Sequence, residues 1–232
     1  MAKKDKDSGE KKGGCLGKLF GLIFFLILAG LGAVIYFIAQ PQDLSDLGGY
    51  SQVSTGEARK PRDIQVALRK AIEGDFSVNL SEEDINLWLE QQLKARQGGE
   101  LGEWITLKRV WVRLGDGIAE VIIERDVLGH ALTTSLFVQV EQRDGDNGVT
   151  TEIHLHGGPF HDDFPKLTRG GRFGKVVVPQ GFLLIVLADF RKLAETFDPE
   201  IELGFQRMAR IKIEEDRLIL DPQQPTSTGG AF

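Results

Sequence analysis

Two clusters of side chains have the types and spacing for chemistry. Glu152, His154 and His156 alternate along a run of strand character, so all three project from one face. Carboxylate and imidazole groups spaced in this way can ligate a divalent metal. A closed site needs a further ligand; the histidine spacing resembles the first part of a cupin metal motif, whose following glutamate is absent because Phe160 and His161 stand there. The expectation is a polar outer strand face without a metal, and His161, Asp162 and Asp163 read as loop residues facing water. The second cluster is basic. Lys166, Arg169, Arg172 and Lys175 are interleaved with Gly170, Gly171 and Gly174 just ahead of an apolar helix. Exposed backbone N–H groups and cations in that arrangement can hold a phosphate or a lipid headgroup. A solvated loop accounts for the same residues. The segment is not a nucleotide-binding P-loop, since Val176 follows Lys175 where Ser or Thr is required.

The remaining chemistry is thin. Cys15 is the single cysteine, so the chain forms no internal disulfide and no thiolate zinc site. No Gly-x-Ser-x-Gly elbow occurs. Asp144-x-Asp146 is followed by Gly148 and Val149, which suits a turn rather than a calcium loop. No cofactor is implied, and the expectation is a protein that is not an enzyme. A metal-dependent enzyme built on Glu152, His154 and His156 is the remote alternative. Net charge is -6, and the first 18 residues hold six lysines against three acids, so the remainder is more acidic still. Such a surface argues against nucleic acid as a partner.

The elements that would position these groups begin with an apolar run. Leu19 to Ala39 is 21 residues without a charge. As a helix it is about 31 Å long, matching the hydrocarbon core of a bilayer. The run exceeds a secretory h-region and lacks a small-x-small cleavage site, so a retained anchor is expected. Lysines precede it and the first base after it is Arg59, which places the N-terminus in the cytoplasm and residues 42–232 outside the cytoplasmic membrane. Gly17-x-x-x-Gly21 and Ala29-x-x-x-Ala33 have the spacing that lets two such helices pack as a homodimer. The expected division is a Lys-rich tail over 1–18, the span over 19–39, a linker over 40–60, an α+β ectodomain over 61–221 and a flexible tail over 222–232.

Within the ectodomain, Pro61 opens a helix running to about Glu73, and Phe76, Val78 and Leu80 alternate as a strand. Ser81 and Asp84 form a capping-box-like start to a helix that buries Ile85, Trp88, Leu89 and Leu93, with Asn86 as a buried structural polar group. Long alternating runs over 104–114, 118–126, 131–143 and 149–156 predict an antiparallel meander. A long loop covers 157–175, a helix follows over 181–197, and a hairpin over 209–220 ends the domain. The fold class is α+β, a curved antiparallel sheet with helices on its concave face. Seven consecutive apolar residues, Phe182 to Ala188, point in every direction around a helix axis. They are expected to be buried, with Phe182, Leu184, Ile185 and Trp88 walling an apolar ligand site.

The order of elements, with Leu80, Ser81, Asp84, Ile85 and Asn86, then Gly174, Lys175 and Pro179 before Phe182–Leu187, resembles the YpmS-type family of single-pass, outward-facing bacterial membrane proteins of unknown function. The resemblance spans about residues 20–221 and implies an anchored envelope protein without catalytic residues. The expected function is a non-catalytic module that binds a lipid or an envelope protein partner. The alternative is a structural or assembly subunit of a membrane complex. A reporter that works only outside the cytoplasm, fused after Phe232, is expected to be active; activity confined to a cytoplasm-dependent reporter reverses the orientation.

Overall fold

The structure, a computed structural model, describes residues 15–56, 61–96, 105–145, 148–155 and 169–222. It is α+β, with a long apolar N-terminal helix followed by antiparallel sheets. Helix α1 (Cys15–Ala39) carries a stretch, Gly17–Ala39, that is long and apolar enough to cross a membrane, and none of that stretch is packed inside the protein.

Helix α2 (Tyr50–Thr55) is short, and α3 (Ile64–Gly74) starts later than Pro61 suggested. The reason is Asp63, whose side chain accepts the Val66 N–H at 3.1 Å and caps the helix. Strand β1 (Val78–Ser81) leads into α4 (Glu82–Arg96). There the cap read from the sequence is reciprocal: Ser81 Oγ accepts the Asp84 N–H at 3.1 Å, and the Ser81 N–H donates to Asp84 Oδ2 at 3.4 Å.

Strands β2 (Ile105–Gly115), β3 (Ile118–Val127), β4 (His130–Gly145) and β5 (Gly148–Leu155) form the expected antiparallel meander. Two further strands were not expected: β6 (Arg169–Phe173), in what the sequence suggested was loop, and β7 (Val176–Pro179), between that loop and the next helix. β6 pairs with β4 over Thr134–Leu136, while β5 takes Val138–Gly145, so one long strand serves two partners along the same edge. Gly170 and Gly171 are therefore buried strand residues in close contact with neighbouring segments. A Cβ on Gly171 would strike the Ser135 carbonyl, and one on Gly170 would meet Leu183 and the Gln180 backbone. The hairpin β8 (Arg210–Glu214) and β9 (Arg217–Asp221) is joined by β1 in a separate three-stranded sheet of order β1-β9-β8.

The stretch expected to be a linker is partly folded onto the domain. Leu44 and Leu47 are buried with Trp111 and Ile122, flanked by Tyr50 and Val53, and the Tyr50 and Trp111 rings lie 5.5 Å apart. Alternation along β2 and β3 explains this packing. Val110, Val112, Val121 and Ile123 point to one side of the sheet, which leaves Trp111 and Ile122 on the other, where two large apolar groups need a cover. Polar groups beside them fasten the same stretch. Glu120, nearly fully buried, accepts from Ser135 Oγ at 2.6 Å and Arg113 Nη1 at 2.9 Å, Arg113 also pairs with Asp46 at 2.9 Å, and the Gln42 N–H donates to Thr133 Oγ1 at 2.9 Å.

A second fastening uses one face of α4. β2 is an edge strand, and its outward backbone groups need partners. Glu82 accepts the N–H groups of Gly48 and Leu114, both at 2.7 Å. Asn86, fully buried, accepts the Val112 N–H at 2.7 Å and donates to the carbonyls of Val112 at 3.0 Å and Gly48 at 2.9 Å. Burial holds the Glu82 carboxyl above its ordinary pKa, with the two N–H groups pulling in the opposite direction. Asn86→Ala strips partners from three backbone groups and is expected to cost about 2–4 kcal/mol in urea unfolding. Gln91→Ala, on an exposed position of the same helix, is expected to stay within about 0.5 kcal/mol.

Candidate functional site: an apolar cavity

Between the large sheet and the helices lies a cavity of about 480 Å³. The sheet contributes one alternation class from each strand: Val110, Val112 and Leu114, then Ala119 and Val121, then Leu136, Val138 and Val140. Helix α4 supplies Ile85, Trp88 and Leu89, one helical stripe. The small sheet adds Leu218 and Leu220. Short side chains on the sheet, five valines and an alanine among those named, leave the space between the layers unfilled. Arg191 and Glu200 are the charged lining residues. Glu200 is buried and its Oε1 accepts from Gln65 Nε2 at 2.7 Å.

The cavity lies where an apolar site was expected, but part of its wall is different. Trp88 lines it, 5% exposed and 5.6 Å from the Phe197 ring. Phe182, Leu184 and Ile185 do not line it; they are 58%, 58% and 77% exposed. The expected continuous helix over 181–197 is instead a 3-10 helix, Gln180–Ile185, followed by α5 (Leu187–Thr196), α6 (Asp198–Ile201) and a π-helical turn, Glu202–Gln206. With three residues per turn, Gln180, Leu183 and Val186 share one side, and Phe182 and Ile185 share another. Gln180 and Leu183 are each 1% exposed, as that period requires. Gly181 and the β-branched pair Ile185-Val186 weaken an α-helix at this point. The helical wall is α5, through Leu187, Phe190, Arg191 and Ala194, with Phe197 at its C-cap. Phe190, Ala194 and Phe197 belong to the stripe visible in the sequence; Arg191 was missed because a cation does not register in an apolar period.

The basic cluster is drawn into structural contacts. Arg172 is half-buried, 3.5 Å from Glu120 and 5.6 Å from the centre of the Phe137 ring. Lys175 donates its backbone N–H to the Phe37 carbonyl at 3.1 Å and its Nζ to Gln40 Oε1 at 2.9 Å. The first adds a second donor to a carbonyl in the last turn of α1 that also accepts the Gln40 N–H at 3.3 Å, and the second places a cation at that helix end. Gly174 makes the approach feasible: its φ is 53°, and a Cβ there would strike the carbonyls of Phe37, Ile38 and Gln40. Lys166 and the side chain of Arg169 lie outside the described residues.

On β5, His154 Nε2 stands 3.0 Å from Glu152 Oε2 and 3.7 Å from Glu141 Oε2 on the neighbouring strand. His156 lies outside the described residues, and among the described residues no three acidic, histidine or cysteine groups are grouped to hold a metal. Comparison with protein-family models, with curated proteins and with solved structures yields no match. The reading therefore rests on the cavity's own geometry. Leu183→Ala is expected to cost about 2–5 kcal/mol in thermal or urea unfolding. Leu184→Ala, one residue on, is expected to cost no more than about 0.5 kcal/mol.

Proposed function

We propose that the chain is an extracytoplasmic envelope protein, anchored by α1 as a single membrane span, whose domain holds the hydrocarbon chain of a lipid in the apolar cavity. The same proposal takes the large sheet as curved around the helices and the chain as a relative of the YpmS-type proteins. The observation that carries it is a cavity of about 480 Å³ lined by aliphatic and aromatic side chains with only two charged residues. That volume lies within the range of small-molecule sites, about 300–1,000 Å³. An aqueous ligand would find little to hydrogen-bond there, and an unfilled apolar space of this size forfeits dispersion contacts unless a hydrocarbon fills it. The uncharged span and the lysines before it support anchoring with the domain outside. The contacts of α1 with Gly174 and Lys175 support a domain that stays close to the bilayer.

A second reading, a subunit of a membrane complex, draws on the exposed apolar residues Val177, Phe182, Leu184 and Ile185. Val121→Phe separates the two. In a cavity that takes a lipid chain, the added ring fills space, raises stability by about 0.5–2 kcal/mol and lowers the lipid that accompanies the full-length protein in native mass spectrometry. In a core already filled by protein, the same change costs about 1–3 kcal/mol and alters no lipid content, which sinks the lipid reading in favour of the complex.

A further inference from the structure

We infer that the cavity takes a single-chain amphiphile with an anionic head, and that Arg191 at its mouth pairs with that head. The inference rests on the reading of the cavity as a hydrocarbon site. Of the residues lining the cavity, three are also exposed to solvent: Ile153, Arg191 and Ala194. They mark where the cavity opens, between strand β5 and helix α5. Arg191 belongs to the inward stripe of α5, between Phe190 and Ala194, rather than to its solvent face. Full packing at 191 and 194 would call for two large apolar side chains, and the helix instead has a cation and a methyl group.

The sign of the charge at the mouth then selects the ligand. A chain that enters the apolar interior must leave its polar head at the opening, because a charge carried inside would lose its hydration without a partner. Arg191 makes no hydrogen bond or ion pair among the described residues. The other charged lining residue, Glu200, is buried and already bonded to Gln65. Glu152 and His154 flank Ile153 on β5 but lie on the opposite face of that strand, where they contact each other. Glu195, one turn beyond Arg191, is not among the lining residues. A planar guanidinium at the opening suits a carboxylate or phosphate head, to which it can donate two parallel N–H groups.

The test uses the full-length protein in amphipol, with palmitate, hexadecyl phosphate and hexadecanol as probes and bound fractions read by native mass spectrometry. The expected result is that at least one of the two anions binds about fivefold more tightly than hexadecanol, with the better anion identifying the head group. Arg191→Gln is expected to remove that advantage while hexadecanol binds as before, which also shows that the variant is folded. If Arg191→Gln binds the anions as tightly as the unaltered protein, the role of Arg191 is overturned and the hydrocarbon site stands. If none of the three probes binds, both readings fall together.

Discussion

The constraint on which the rest of the structure depends is the free edge of β2. An edge strand presents unpaired N–H and C=O groups that must be bonded if they are to be buried. Here Glu82 and Asn86, four residues apart on α4, supply those bonds at Leu114 and Val112. The same two side chains reach Gly48, so helix, sheet edge and the stretch after α1 are fixed at one point. Burying a carboxylate and an amide is costly unless every bond is made. The arrangement therefore has one satisfied register, and a slip of β2 by one residue would leave the bridge facing the wrong groups.

With α4 held there, its Trp88 stripe stands over one side of the sheet, and residues 42–55 cover the other. The two covers differ in chemistry because alternation sorts the strands that way. One side is mainly aliphatic around the cavity, with Arg125 and Gln142 farther along the strands. The other mixes Trp111 and Ile122 with Glu120, Thr133 and Ser135, and it binds its cover with hydrogen bonds and ion pairs as well as apolar contact. The cavity lies on the side faced by valines.

The attachment of α1 follows from the same geometry. Its last carbonyls meet the β6–β7 turn, and two residues later the chain enters the polar seam along β4. The link between α1 and the domain is thus short and bonded at both ends.

Much was legible from local pattern. The apolar period of α1, the alternation of β2 to β5, the Ser81 cap and the terminal hairpin are properties of a few adjacent residues, and these elements form where the sequence suggested. The stripe of α4 and most of that of α5 were readable for the same reason. What the sequence could not decide were matters of contact between distant segments. Gly170 and Gly171 look like loop glycines until β4 is brought against them, and 40–56 looks like a linker until Trp111 and Ile122 require a cover. Phe182, Leu184 and Ile185 passed for core because composition does not distinguish a 3.6-residue period from a 3.0-residue one over a single short segment. Arg191 acquired meaning only when the fold turned its stripe toward a cavity. Hydrophobicity and capping act over a few residues and are written in the chain, whereas which faces meet, and what space they leave between them, is settled by packing in three dimensions.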